Sequence, residues 1–408
     1  MAPPQPALRQ ALSLPLIVLY GLGTTVGAGI YALTGKVAGV AGMHAPLSFL
    51  LAALLAGFTA FSFAELSSRL PYSAGEARYM QVAFGSRRLA LAIGLVVVLS
   101  GAVSSATIVN AFHGYLSDLV AVPRAPVIVL TVVALVALAS WGIRESVSVA
   151  AAMTAVEVGG LLLIIAVAGD SLATLPARLD ELAPPPPGAL WHGVLFGALL
   201  AFYAFLGFED IVNIAEETSG ASRVVPLAII LTLVLTTLLY VLLALVAVLS
   251  VPIDRLAEIK APLVLVYSAG GAETSVIINV IAFVAVINGA LIQTIMGSRV
   301  LYGLAQMREL PDWLGRVHPR TRTPIAATLT VGAVVLAFAL GLPLIRLAEV
   351  IAMLVLAIFI ACNLALIRIK GRDPALPGVR TYPIWVPVAG ASVSAGMLGF
   401  ALLRPLLD

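Results

Sequence analysis

Residues 202–217 read FYAFLGFEDIVNIAEE, and the fold is decided by what sits in the middle of that stretch: Gly207 followed by Glu209 and Asp210, deep inside an apolar block. Two adjacent carboxylates on a regular, lipid-facing helix are costly to bury. A break near Leu206 and Gly207 relieves the cost, because it sets both carboxylates at the N-terminus of a second half-helix, where free amides and the helix dipole favour negative charge. Glu209 and Asp210 then either cap that half-helix or face a cationic group. Residues 21–35, GLGTTVGAGIYALTG, carry a second candidate break at Gly27-Ala28-Gly29. Small residues here fit close helix packing of the GxxxG kind or an unwound segment. Unwound backbone survives at membrane depth only where it lines a cavity or meets a partner.

Working outward, the whole chain has the composition of a membrane protein. Of its 408 residues 61% are hydrophobic and only 11% charged, and the mean hydropathy is +1.09. Blocks of about 20 apolar residues match the length a helix needs to cross hydrocarbon. Eleven spans are expected: Leu14–Val40, Pro46–Ser68, Leu89–Leu116, Val127–Trp141, Val147–Ala168, Trp191–Ile214, Val224–Val251, Val276–Leu304, Pro324–Leu342, Leu347–Ile367 and Tyr382–Leu403. An N-terminus in the cytoplasm puts 16 of the 23 Lys and Arg on that side, so the expected topology has the C-terminus outside a plasma or inner membrane. The segment after MAPPQPALRQ has no cleavage signature and reads as a retained first helix.

The loop ELAPPPPGAL (181–190) is a stiff connector that separates two groups of five spans. With an odd number of spans in each group, the second starts on the opposite face, so two similar halves are inverted relative to each other. The expected division is a terminus at 1–13, a first five-helix repeat at 14–168, the connector at 169–190, a second repeat at 191–370, and a loop with an eleventh helix at 371–408. The fold class is an all-α integral membrane protein.

Breaks at matching positions of inverted halves point to a transporter site, where half-helix amides meet an anion and freed carbonyls meet a cation. A zwitterionic α-amino acid suits both. The amides of Ala28 and Gly29 are expected to hold its carboxylate, and carbonyls around Thr25, Tyr203 and Leu206 its ammonium; Gly27 and Ala204 belong to the same expected substrate-binding set. Phe205 and Phe208 either shape the side-chain pocket and gate or simply pack. Glu157, alone in TAVEVGGLLLII (154–165), either couples transport by exchanging a proton as the cavity opens to each side or is a neutral structural donor. Gly159 and Gly160 beside it allow another helix to approach.

Glu65, Glu76, Glu216 and Glu217 lie near expected cytoplasmic ends and read as partners of Arg69, Arg144 or Arg223. The four histidines, His44, His113, His192 and His318, have no metal-ligand spacing, and Cys362 is the only cysteine. No cofactor, metal, nucleic acid or enzymatic activity is expected; the partners are a small amino acid or amine, a proton and the bilayer.

Four stretches, VGAGIYALTG (26–35), FAELSSRLPYSAGEARYM (63–80), FLGFEDIVNIAEETSGASRVVP (205–226) and SRVLYGLAQMRELPDWLGRVHPRTRTP (298–324), resemble the amino acid-polyamine-organocation permeases over nearly the full length. The resemblance implies the inverted five-plus-five fold with broken helices 1 and 6. It also implies substrate backbone contacts at Thr25, Ala28, Gly29, Tyr203 and Leu206 and a gating aromatic at Phe208. Glu157 falls where several proton-coupled relatives carry a lysine, so its coupling role is argued from chemistry. Ser219-Gly220-Ala221 and an end after eleven helices also depart from the family pattern. The expected function is secondary transport of amino acids by alternating access, proton-coupled through Glu157. The alternatives are an amino acid or polyamine exchanger, with Glu209, Asp210 and Glu157 binding a cationic substrate directly, and a membrane sensor that binds without moving cargo.

Overall fold

The computed structural model describes residues 7–120, 122–184, 190–259, 261–271, 275–341, 345–373 and 378–403. Pro185, Pro186 and Pro187 of the connector, and Lys260 and Arg404 of the charge count, lie outside them. The helices are α1 Leu14–Thr25, α2 Ala28–Ala41, α3 Ala45–Arg69, α4 Gly75–Phe84, α5 Arg87–Leu119, α6 Arg124–Trp141, α7 Ile143–Val167, α8 Leu179–Leu182, α9 Leu190–Phe202, α10 Ala221–Ser250, α11 Ile253–Glu258, α12 Pro262–Ala269, α13 Ser275–Gln306, α14 Ile325–Gly341, α15 Ile345–Arg372 and α16 Trp385–Leu403. After α9 the chain continues as two 3-10 runs, Tyr203–Phe205 and Phe208–Glu217.

Nine helical stretches among the described residues are long and apolar enough to cross a membrane, and Leu14–Thr25 and Ile325–Gly341 are shorter apolar helices. The first expected span is thus carried by two short helices, α1 and α2. The span expected from Val127 begins at Arg124, and its 18 residues cover about 27 Å at 1.5 Å per residue, close to the hydrocarbon thickness. Large apolar side chains on the outside, among them Leu54, Leu130, Leu238 and Leu329, fit contact with lipid.

The two repeats meet through equivalent helices: α3 packs on α10, α5 on α13, and α6 on α14. That pairing is what an inverted repeat related by a two-fold axis in the membrane plane produces. It leaves the broken pair, α1–α2 and α9 with its 3-10 runs, near the axis, where α1 contacts α7, α10 and the Phe208–Glu217 run. The extra helix α16 rests on α15 and α3.

Two polar ties hold the N-terminal face together. Glu65, fully buried on α3, accepts from Arg69 at 2.8 Å, from Lys370 of α15 at 2.8 Å, and from the Tyr382 amide at 2.9 Å. Glu217 has no partner among Arg69, Arg144 and Arg223; it forms a two-pronged pair with Arg299 of α13, Nε–Oε2 3.0 Å and Nη2–Oε1 3.1 Å. Both side chains are fully buried. A carboxylate at that depth needs a cation at the same depth, which none of the three expected arginines supplies. Glu216 accepts from the Ser73 amide at 3.1 Å and Glu76 from Asn213 at 3.2 Å, again in place of the expected arginines.

Candidate functional site: two broken helices and a buried carboxyl

The first break is real unwinding and not tight packing of an intact helix. α1 ends at Thr25, Val26 (φ −82°, ψ 46°) and Gly27 (φ −92°, ψ −159°) leave the helical region, and α2 restarts at Ala28. Glycine at the N-cap supplies no side-chain acceptor, so the first-turn amides of α2, Ala28 and Gly29 among them, are free of an intrahelical partner. A Cβ built at Gly27 meets nothing closer than the Thr24 carbonyl at 4.0 Å. The space beside the first break is therefore open.

The second break lies between Phe205 and Phe208. Leu206 is extended (φ −66°, ψ 143°) and Gly207 sits at φ +122°. Glycine is required here twice over: that φ is reserved for residues without a Cβ, and a Cβ would stand 2.7 Å from the Thr24 carbonyl oxygen. The two breaks thus touch backbone to backbone. The Thr24 hydroxyl lies 2.7 Å from the Gly21 carbonyl and 2.8 Å from that of Gly207, and Gly29 lies against Ala204, whose Cα a Cβ there would approach to 3.4 Å.

One side chain serves both breaks. The hydroxyl of Tyr240, fully buried on α10, lies 2.7 Å from the Thr25 carbonyl and 3.1 Å from that of Ala204. Each carbonyl loses its helical partner where the helix stops, and a buried orphan carbonyl costs free energy comparable to a lost hydrogen bond. The Tyr240 ring is held edge-on by Phe205 at 5.2 Å and Phe49 at 5.9 Å. The sequence reading did not single out Tyr240; the available signal was a phenol inside a 30-residue apolar helix, since a buried Tyr hydroxyl seeks a partner.

The acidic pair after the second break is engaged within the protein. Glu209 Oε2 accepts from the Gly207 amide at 2.8 Å, capping its own run, and Asp210 Oδ2 accepts from Gln293 of α13 at 2.7 Å. Phe208 faces an aromatic cluster with Phe359 at 5.6 Å and Phe63 at 6.2 Å. Tyr203, Ala204 and Phe205 form the 3-10 turn before the break.

Glu157 faces α13. Asn288 donates to Glu157 Oε1 at 2.8 Å and lies 2.9 Å from the Thr154 hydroxyl. Three polar atoms in this neighbourhood, Glu157 Oε2, Asn288 Oδ1 and the Tyr31 hydroxyl of α2, are buried without a protein partner. A Cβ at Gly23 would run into the Thr154 hydroxyl and reach Asn288 Nδ2 at 2.7 Å, so the cluster abuts α1 just before its break. Gly160 allows α13 to approach, as a Cβ there would meet Ile281 at 2.6 Å, whereas Gly159 faces open space. Among the other polar residues of α5, Thr107 bonds its own helix at Val103 and Ser105 reaches the Ala290 carbonyl of α13.

The half-helices are also tied beyond the breaks. Ala11 and Leu12 amides donate to the Glu217 carbonyl at 2.9 and 3.0 Å, and the Ser219 amide donates to Leu12 at 3.1 Å. The segment before α1 and the end of the Phe208–Glu217 run therefore form one unit. Among the described residues no group of His, Cys, Asp or Glu is arranged to hold a metal ion.

This architecture has known counterparts. A family model described as amino acid permease matches residues 12–405. The branched-chain amino acid permease BcaP of Bacillus subtilis is 30% identical over 404 residues, covering 94% of this chain and 85% of that protein. Cationic amino acid transporter 3, mitochondrial, of Arabidopsis thaliana is 30% identical over 81% of this chain and 58% of its own length. The crystal structure of MhsT in complex with L-phenylalanine shares the fold, with a TM-score of 0.60 at 17% identity over 97% of this chain and 99% of that one. With paired helix breaks on the inverted-repeat fold and a match from residue 12 to residue 405, the chain belongs to the amino acid permease family of the amino acid-polyamine-organocation superfamily.

Proposed function

We propose that this protein is a secondary transporter that carries an α-amino acid by alternating access, with Glu157 as the proton-coupling group. The observation that carries the reading is the meeting of the two breaks: the amides of α2 have no side-chain cap, a Cβ at Gly27 has no neighbour closer than 4.0 Å, and the turn at 203–207 lies against Gly29 and Thr24. The amides of Ala28 and Gly29 bind the substrate carboxylate, as helix N-termini bind anions generally. Carbonyls of Tyr203 and Leu206, with the second lone pair of Thr25, receive the ammonium. Phe205 and Phe208 border the side-chain end. Relatives named for branched-chain and for cationic amino acids support the substrate class.

Glu209 and Asp210 act as structural acceptors in this reading, since each already has a donor. That leaves Glu157 to carry coupling. Its second oxygen is unpartnered and its cluster presses on α1 beside the break, so gain or loss of a proton there changes how α1 sits against α7 and α13. The N-terminus lies in the cytoplasm of a plasma membrane in this topology.

Uptake by purified protein in liposomes tests the proposal. Proton-coupled transport gives accumulation driven by a pH gradient. Flux only with counter-substrate makes the protein an exchanger, and binding without flux makes it a sensor. Glu157→Gln is expected to keep substrate binding and lose the pH dependence of uptake; an unchanged pH profile in that variant removes Glu157 from coupling.

A further inference from the structure

An open cleft of about 760 Å3 on the N-terminal face is lined by residues from the segment before α1, the α3–α4 loop, α4, the end of the Phe208–Glu217 run, α10 and α13. Its volume is in the range of small-molecule sites. Its lining contains one cation, Arg78, and one anion, Glu216. Opposite charges that share a cleft ordinarily close on each other. Among the described residues these two form no ion pair, although Arg78 is near enough to act electrostatically on Glu216.

Each is held apart by its own scaffold. Arg78 stacks over the Tyr72 ring at 5.0 Å and donates through Nη1 to Gln81 at 2.9 Å, while its Nε is buried with no partner. Glu216 is fixed through Oε1 by the Ser73 amide at 3.1 Å, with the Tyr302 side chain beside it. The Ser73 hydroxyl is also buried and unpartnered. The cleft thus presents a fixed guanidinium, a fixed carboxylate and an aromatic face around one space, backed by two buried donors, Arg78 Nε and Ser73 Oγ, that have no partner.

From this we infer a second amino acid station on the N-terminal face, with Arg78 taking the ligand carboxylate and Glu216 its ammonium. The inference rests on the amino acid reading above and adds a site to it. The Phe208–Glu217 run joins the two stations: nine residues of 3-10 helix separate Gly207 from Glu216, about 18 Å at 2.0 Å per residue. A substrate released from the break toward this face meets the second station before bulk water, and a substrate arriving from this face meets it first.

Equilibrium dialysis of the full-length protein in detergent, with an equimolar mixture of the twenty 14C-labelled protein amino acids at saturation, tests the inference by stoichiometry. The expected values are two bound per wild-type chain, one for Arg78→Gln, one for Gly27→Leu, which fills the space at the break, and none for the double variant. Glu216→Gln is expected to match Arg78→Gln, and melting temperatures of all variants verify folding. In liposomes, Arg78→Gln is expected to raise the half-saturating concentration at least tenfold from the N-terminal face and less than twofold from the other; a merely structural arginine shifts both alike. One molecule bound to wild type and still one to Arg78→Gln overturns the second station and leaves the central site standing. No binding to wild type overturns both.

Discussion

Tyr240→Phe is the substitution that isolates the contact between the two breaks. It deletes one oxygen and leaves the ring between Phe205 and Phe49, so no cavity opens. The lost hydroxyl is 2.7 Å from the Thr25 carbonyl and 3.1 Å from that of Ala204, both at the ends of helical segments where the next turn is missing. Leaving a buried acceptor unsatisfied costs about 1–3 kcal/mol. The shorter contact carries most of that here, so the expected loss is about 2 kcal/mol. If the contact organises the substrate backbone site, the same energy appears in affinity, and about 2 kcal/mol is roughly 30-fold in the dissociation constant. Binding of the transported amino acid by scintillation proximity, together with melting in detergent, measures both effects. Wild-type affinity and wild-type melting in Tyr240→Phe would falsify the claim that this hydroxyl holds the breaks in register.

Three further outcomes follow from the geometry. Gly207→Ala meets both a positive φ and the Thr24 carbonyl, so a loss of at least about 3 kcal/mol in stability is expected, while Gly27→Ala, in open space, loses less than about 1 kcal/mol; thermal melts of the two compare them. Arg299→Met strands the buried Glu217 carboxylate and is expected to cost about 3–5 kcal/mol. Adding Glu217→Leu to it restores most of the loss, which a double-mutant cycle reads directly. Asn288→Ala removes the donor to Glu157 Oε1, and is expected to shift the pH profile of uptake while leaving the number of bound substrate molecules unchanged.

Both breaks were legible because glycine and carboxylate are out of place in an apolar run: Gly27-Ala28-Gly29 and Gly207-Phe208-Glu209-Asp210 each contradict a regular lipid-facing helix. The inverted five-plus-five order was legible from span parity and the proline connector. What joins the halves was not, because it depends on which helices become neighbours in space. Nothing local to residue 240 says that its hydroxyl reaches Thr25, 215 positions away, and nothing in AEE at 215–217 says that Glu217 turns inward to Arg299 while Glu216 turns to Ser73. The 3-10 character of Phe208–Glu217 was equally hidden, since its composition suits an α-helix as well. Glu157 stood out as a lone carboxyl in an apolar run, but its partner Asn288 lies 131 positions away on another helix, and nothing local links the two.

The central claim is that the space beside the first break is the route of an amino acid through the membrane, and Gly27→Leu tests it most directly. Its backbone angles are extended, and its Cβ position has no neighbour within 3.9 Å, so the variant is expected to fold, with a loss of about 1 kcal/mol for leucine at an N-cap. Uptake of 14C-labelled amino acids into liposomes is then compared between the two. The prediction is accumulation by wild type and background counts for Gly27→Leu; wild-type uptake by a folded Gly27→Leu contradicts the account.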